Sequence, residues 1–229
     1  MIEYSVVVPV YNEEDSLPVL FTEINAVMRT LKQPYEIIFI DDCSSDRSPE
    51  ILNAFKKQLS ESVQIIRLKE RSGQTFAMRK GLDAIRGNIA VTMDADLQND
   101  PADIPRLIEK MKEGYDVVCG WRKSRQDRPL KMALSKFGNV LQRVISGFKV
   151  HDVSCTLRAY KKECAAKVPL NWEGQHRFIP LSLHLQGFRI GEIVSNHRQR
   201  QFGYSKYSHK RIFRVIGDFF RILAAGGKK

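Results

Sequence analysis

The N-terminal half alternates short β-branched apolar runs with segments of helical apolar spacing, and this alternation restricts the fold more than any other feature of the chain. Ser5-Val6-Val7-Val8-Pro9-Val10 is a strand pattern, and Leu17, Leu20, Ile24, Val27, Met28 and Leu31 then recur at helical spacing. Glu36-Ile37-Ile38-Phe39-Ile40 is a second strand. Ser48-Pro49-Glu50 has the form of an N-cap with proline at the first helical position, ahead of Ile51, Leu52, Phe55 and Leu59. Val63 to Leu68, Ile89 to Met93 and Tyr115 to Cys119 continue the strand series, and a helix is expected from Ser72-Gly73-Gln74 through Ile85. Strands that alternate with helices predict an α/β sandwich around a mostly parallel central sheet.

In such sheets ligands bind beyond the carboxyl ends of the strands. Three polar clusters fall there: Tyr11-Asn12-Glu13, Asp41-Asp42 and Asp94-Ala95-Asp96. Asp94 and Asp96, one residue apart on a turn leaving a buried strand, can face one hard cation, and Gln98 adds a neutral oxygen. Mg²⁺ and Mn²⁺ take oxygen ligands and prefer few protein carboxylates plus substrate phosphates. A solvated strand-end turn, where Asp is common, is the plainer explanation of the triplet alone. No G-x-x-x-x-G-K-[ST] is present, which excludes a P-loop NTPase. Pro9-Val10-Tyr11-Asn12-Glu13 occupies the first turn in place of G-x-G-x-x-G, which disfavours a dinucleotide oxidoreductase. A metal–diphosphate site without these motifs fits a nucleotide-sugar enzyme.

Charge divides the chain. The formal net charge is +11, with basic runs such as His197-Arg198-Gln199-Arg200 and Lys206 to Arg211 in the last third. The asymmetry predicts an anionic partner: a phosphorylated ligand, an acidic membrane face or nucleic acid. No motif that reads RNA or DNA accompanies it, so nucleic acid is not expected. Two apolar stripes lie in this basic half. Leu130, Leu134, Phe137, Leu141, Val144 and Phe148 form one; Ile212, Val215, Ile216, Phe219, Phe220 and Leu223 form the other. Each can pack on the domain or lie in a membrane interface. No run approaches about 18 apolar residues, so no transmembrane helix is expected. Met-Ile-Glu-Tyr runs directly into a strand pattern, which argues against a signal peptide. Cys43, Cys119, Cys155 and Cys164 lack C-x-x-C spacing, which favours a reducing cytosol.

At these residues the chain resembles family 2 glycosyltransferases of the GT-A fold, and among them the polyprenyl-phosphate sugar synthases of the dolichol-phosphate mannose synthase type. The matching segments are ordered along nearly the whole chain: Val8 to Glu14, Asp41 to Asp46, Gly73 to Ala77, Asp94 to Gln98, Gly120-Trp121-Arg122, Asp152 to Tyr160, and Arg200-Gln201-Phe202-Gly203-Tyr204-Ser205-Lys206. Cys43 stands where glycine is frequent, and Asn99-Asp100 replaces a common His-Pro. The resemblance implies a Rossmann-like αβα sandwich with C-terminal amphipathic helices. It implies one catalytic domain over 1–210, with a nucleotide-sugar and metal half (1–100) and an acceptor half (101–210), followed by a basic amphipathic segment (211–229).

It also implies roles. Pro9, Tyr11, Glu13, Asp42 and Asp94 would bind the nucleotide sugar. Asp94, Asp96 and Gln98 would hold Mg²⁺ or Mn²⁺. Arg122, Arg200, Ser205 and Lys206 would surround the acceptor phosphate, with Asp96, Arg122, Arg200 and Lys206 forming the catalytic set. The implied reaction is inverting transfer of a hexose from GDP-mannose or a UDP-sugar to a polyprenyl phosphate, at the inner face of the cytoplasmic membrane. The implied partners are donor, lipid phosphate and membrane surface, with a homo-oligomer or a membrane protein as a further partner. The alternative is transfer to a hydroxyl of a saccharide or glycolipid in envelope polysaccharide synthesis. A phosphomonoester, with a second pKa of about 6, is already anionic near neutrality and needs positive charge rather than a base. A hydroxyl needs a general base. Within Trp172-Glu173-Gly174-Gln175-His176-Arg177, Glu173 is either that base or a positioning or capping element. Asp152 and Arg158 are a candidate structural ion pair.

Overall fold

The computed structural model describes residues 1–123, 150–202 and 217–222. Seven strands form one mixed sheet: β1 (Tyr4–Val10), β2 (Tyr35–Asp41), β3 (Val63–Arg67), β4 (Ile89–Thr92), β5 (Val117–Trp121), β6 (Arg158–Lys161) and β7 (Ile190–Val194). Their spatial order is β3-β2-β1-β4-β6-β5-β7. All neighbouring pairs are parallel except those of β6, which runs against both β4 and β5. The main helices are α1 (Leu17–Thr30), α2 (Ser48–Gln58), α3 (Gln74–Asp83), α4 (Ile104–Met111), α5 (Lys162–Ala165) and α6 (Ile179–Leu185).

Period-two alternation explains the layers. Val6, Val8 and Val10 of β1, with Ile37 and Phe39 of β2, project into one core with Leu17, Leu20, Ile24 and Met28 of α1 and Leu107 of α4. Val7, Ile38 and Ile40 project the other way, onto Ala77, Met78 and Leu82 of α3 and Ile179 and Leu183 of α6. Strands covered on both faces read as the unbroken apolar runs seen in the sequence. Phe21, Phe39 and Phe55 tie α1, β2 and α2 together, with Phe21 and Phe55 stacked at 4.0 Å. This is the α/β sandwich around a mostly parallel sheet that the alternation of strands and helices predicts and that the resemblance implies.

The chain leaves β1 toward β2 on one side, and β4 flanks β1 on the other. The crevice at the carboxyl ends of β1 and β4 is therefore a topological switch point, the preferred ligand position of open α/β sheets. The reversed direction of β6 has a second effect. Thr92 pairs with Arg158, so the segment leading into β6 arrives at the carboxyl end of β4.

One local reading differs from expectation. Ser48 does not cap α2 with its side chain. Its hydroxyl instead accepts the Glu13 amide at 2.9 Å, because the β1 and β2 loops are zipped together. The C-terminal stripe is described only over 217–222, which is helical. There Phe219 and Ile222 pack on Val150, Val153, Phe178 and Leu181, while Phe220 is exposed. The stripe from Leu130 to Phe148 lies outside the described residues. Among the described residues no helix is long and apolar enough to cross a membrane.

Candidate active site

The site is assembled by loops that leave β1, β2 and β4. Three non-glycine residues in these loops adopt left-handed backbone: Asn12 (φ 52°), Cys43 (φ 62°) and Leu97 (φ 62°). Such conformations cost on the order of 1 kcal/mol each and concentrate at functional sites. The value at Cys43 gives the physical reason that glycine suits this position. Side-chain bonds fix the strained turns. Asn12 accepts the Ser45 amide at 2.8 Å and its own amide donates to Ser44 at 3.0 Å. The Glu14 amide donates to Asp46 at 3.0 Å, and Glu14 accepts the Arg47 amide at 2.9 Å.

Each sequence-predicted residue can be placed on this frame. Pro9 lies in β1 beside Ile40. The Tyr11 ring lies under the Arg71 guanidinium, 4.1 Å from its centroid. Glu13 accepts the Ser16 hydroxyl at 3.0 Å, at the start of α1. Asp42 is nearly fully buried and receives the amides of Ser72 (2.6 Å) and Gly73 (2.9 Å), so it anchors the loop that opens α3.

The β4 loop carries the acidic pair. Asp94 accepts Gln74 Nε2 on Oδ1 and Thr156 Oγ1 on Oδ2, both at 2.7 Å, and its amide donates to Asn99. Burial first, then the negative charge of Asp96, raises its pKa to about 6; the Thr156 hydroxyl and the charges of Arg122 and Arg158 oppose the rise. Asp96 accepts the Gln98 amide at 3.1 Å on Oδ1, and its Oδ2 is paired with Arg200. The Gln98 carbonyl accepts the Arg198 amide at 3.0 Å, and Asn99 bridges to His197. The segment bearing Arg200 is thus laid along the acidic turn. Arg198 beside it pairs with both Glu23 and Asp100 at 2.7 Å.

Arg122, at the end of β5, is held by Asp152 through Nε (2.7 Å) and Nη2 (2.9 Å), and by Ser154 (2.9 Å). This corrects the expected Asp152–Arg158 pair. Arg158 is fully buried and donates instead to the carbonyls of His176 (3.0 Å) and Val153 (2.8 Å). Ser205 and Lys206 lie outside the described residues.

Sequence reasoning gave no role to Gln74 or Thr156, and left Glu173 between base and cap. The Glu173 carboxylate accepts the Thr75 amide at 3.0 Å, in the first turn of α3. Thr75 Oγ1 also meets His176 Nδ1 at 2.6 Å. The 172–178 loop therefore braces the helix that carries Gln74. These contacts join residues about a hundred positions apart and have no local signature.

A divalent cation fits the donor set at the β4 turn. Asp94 and Asp96 offer carboxylate oxygens, and a guanidinium already seats positive charge on Asp96. No cluster of three acidic, histidine or cysteine side chains suited to a metal occurs among the described residues.

Comparison with known proteins agrees with this geometry. An undecaprenyl-phosphate 4-deoxy-4-formamido-L-arabinose transferase from Serratia proteamaculans is 39% identical over 219 residues, covering 96% of this chain and 67% of that protein. The namesake from Yersinia enterocolitica is 37% identical over the same coverage. Among solved structures, glucosyl-3-phosphoglycerate synthase from Mycobacterium tuberculosis, in complex with Mn²⁺, UDP and phosphoglyceric acid, superposes with a TM-score of 0.69 at 18% identity. That match covers 98% of this chain and 78% of the other, and shares its fold. The family description "Glycosyl transferase family 2" matches residues 5–168. The chain is a glycosyltransferase and belongs to family 2.

Proposed function

We propose that the protein transfers a sugar from a nucleoside diphosphate donor to a polyprenyl phosphate, with Mg²⁺ or Mn²⁺, at a membrane surface. The observation that carries this reading is the meeting of carboxylates and guanidinium groups at the carboxyl end of β4. Asp94 and Asp96 stand there with Arg200 paired to one and the charge of Arg122 acting on the other. Such a site suits two phosphorylated substrates and an oxygen-bound cation. The names of the relatives in Serratia and Yersinia, which refer to undecaprenyl phosphate, support the same acceptor class.

The reaction forms a bond from an acceptor phosphate oxygen to the anomeric carbon and breaks the bond to the donor diphosphate, with inversion. The cation would be held by Asp94, Asp96 and Gln98, and would supply neutralising charge to the leaving diphosphate. Pro9, Tyr11, Glu13 and Asp42 form the nucleotide side of the crevice. Arg122, fixed by Asp152 and Ser154, and Arg200 offer planar, permanently charged donors suited to phosphate. Ser205 and Lys206 complete the acceptor group. A phosphate nucleophile needs no general base, and the engagement of Glu173 with the Thr75 amide fits that requirement. Residues 1–100 supply the donor half and 101–210 the acceptor half. The surplus of basic residues in the second half suits an anionic membrane face, the inner leaflet being the proposed location.

The test is a donor panel. Purified protein is mixed with Mn²⁺ and each of several UDP- and GDP-sugars, read first as thermal stabilisation and then as label extracted with undecaprenyl phosphate into organic solvent. One donor should stabilise the fold and yield lipid-extractable label. Stabilisation by none, with no labelled lipid, refutes the proposal.

A further inference from the structure

We propose that Gln74 is a positioning residue that couples the nucleotide side of the crevice to Asp94, with Thr156 as the opposing arm of the same clamp. The inference rests on the proposed function and extends it to residues that the sequence left without a role.

Asp94 lies between two neutral donors from distant parts of the chain. Gln74 Nε2 reaches Oδ1 and Thr156 Oγ1 reaches Oδ2, each at 2.7 Å. Each carboxylate oxygen has about two acceptor directions. The clamp fills one on each oxygen and fixes the plane in which the others point. Without it, repulsion between Asp94 and Asp96 favours turning the carboxylate away from its neighbour.

Both arms are anchored. Thr156 precedes the antiparallel strand β6, and its carbonyl accepts Thr92 Oγ1 of β4 at 2.7 Å. Gln74 is the first residue of α3, directly after Gly73. Gly73 has φ 91° and donates to Asp42 at 2.9 Å, while Thr75 donates to Glu173. Two carboxylates therefore hold the start of α3, Asp42 through the Ser72 and Gly73 amides and Glu173 through the Thr75 amide. A Cβ on Gly73 would come within 2.5 Å of Glu173 Oε2, so only glycine fits between Asp42 and that loop. Asp42 lies on the nucleotide side and Asp94 on the diphosphate side. One short rigid path, Asp42 to Gly73 to Gln74 to Asp94, links them. The path thereby ties the orientation of the Asp94 carboxylate to the loop that Asp42 anchors.

The test uses the full chain and calorimetric titration with UDP and with GDP, each in Mn²⁺ and in EDTA, carrying forward the nucleotide that wild type binds. Gln74→Met keeps length and removes the donor. It should weaken binding in Mn²⁺ about tenfold, the scale of a lost hydrogen bond to a charged group, and leave binding in EDTA within about twofold. In an Asp94→Ala background, which removes the acceptor oxygens altogether, the same substitution should change nothing further, since Gln74 acts through that carboxylate. Thr156→Val should mimic Gln74→Met, and Thr156→Ser should restore wild-type binding. If Gln74→Met weakens binding equally in Mn²⁺ and EDTA, or equally with and without the Asp94 carboxylate, the clamp is wrong while the proposed function stands. Should Gln74→Met fail to fold, the Thr156 pair carries the test: equal binding by the Val and Ser variants overturns the proposal. Failure of wild type to bind either nucleotide with Mn²⁺ removes the proposed function and this inference together.

Discussion

Replacing Arg200 with alanine should tighten metal binding in the absence of nucleotide. Arg200 pairs with Asp96, and the two side chains are 24% and 11% exposed. At a separation of about 4 Å and an effective dielectric near 20 the attraction is about 4 kcal/mol. Desolvation and side-chain ordering offset most of this, which leaves about 1–2 kcal/mol for a partly buried, charge-assisted pair. A divalent ion at Asp96 must displace the guanidinium and overcome that amount. Removing Arg200 should therefore tighten the Mn²⁺ dissociation constant by about 5- to 30-fold, since each 1.4 kcal/mol is tenfold. Mn²⁺ binding to the nucleotide-free protein can be followed by electron paramagnetic resonance of the free ion. The general field of one surface charge would also favour the cation, but it is screened when ionic strength reaches about 1 M and the Debye length falls to about 3 Å. The tightening should persist there. Unchanged or weaker Mn²⁺ binding by Arg200→Ala at high salt would refute the displacement argument.

Other outcomes follow from the same contacts. Asp152→Ala leaves Arg122 in a largely buried place without its carboxylate and should lower stability by about 3 kcal/mol, measured as a shift in the chemical denaturation midpoint. Glu173→Gln keeps an oxygen for the Thr75 amide; it should cost under about 1 kcal/mol in stability and leave transfer to polyprenyl phosphate within about threefold. A loss of about a hundredfold in turnover would reassign Glu173 as a base. Burial pushes the thiols of Cys155 and Cys164 up to about 11 and about 12, and raises Cys119 further, so all three stay protonated at pH 8. A disulfide reagent should modify the partly exposed Cys43 in the native protein and all four thiols after denaturation. Rapid modification of more than one native thiol would contradict the described packing.

The carboxyl-end clusters are legible because unbroken apolar runs stop abruptly at polar residues. β1 to β4 and the helices after β1, β2 and β3 lie within a few residues of their expected positions. The start of α2 was misread because Ser48 serves the neighbouring loop, a contact that no local pattern encodes. β6 is only four residues long, and its direction depends on pairing with β4 and β5 rather than on its own sequence. The expected partner of Asp152 is Arg158, six positions on, but the carboxylate reaches back 30 positions to Arg122, while Arg158 is sequestered among carbonyls. Arg200 was foreseen as a phosphate ligand from its motif, but its pairing with Asp96 spans 104 positions and emerges only when the segment after β7 lies along the β4 turn. Residue types, spacing and the resemblance thus pointed to Asp94, Asp96 and Arg200, which the fold brings together at the β4 turn. Which of them hold one another required the sheet.

The most direct test of the account compares undecaprenyl phosphate with undecaprenol as acceptor, using the donor chosen by the panel, Mn²⁺ and mass spectrometry of the lipid fraction. The account predicts a glycosyl-phosphoryl lipid, released nucleoside diphosphate in equal amount, no product from undecaprenol, and loss of product with Asp96→Ala. Equal glycosylation of undecaprenol, or full product formation by Asp96→Ala in EDTA, would contradict it.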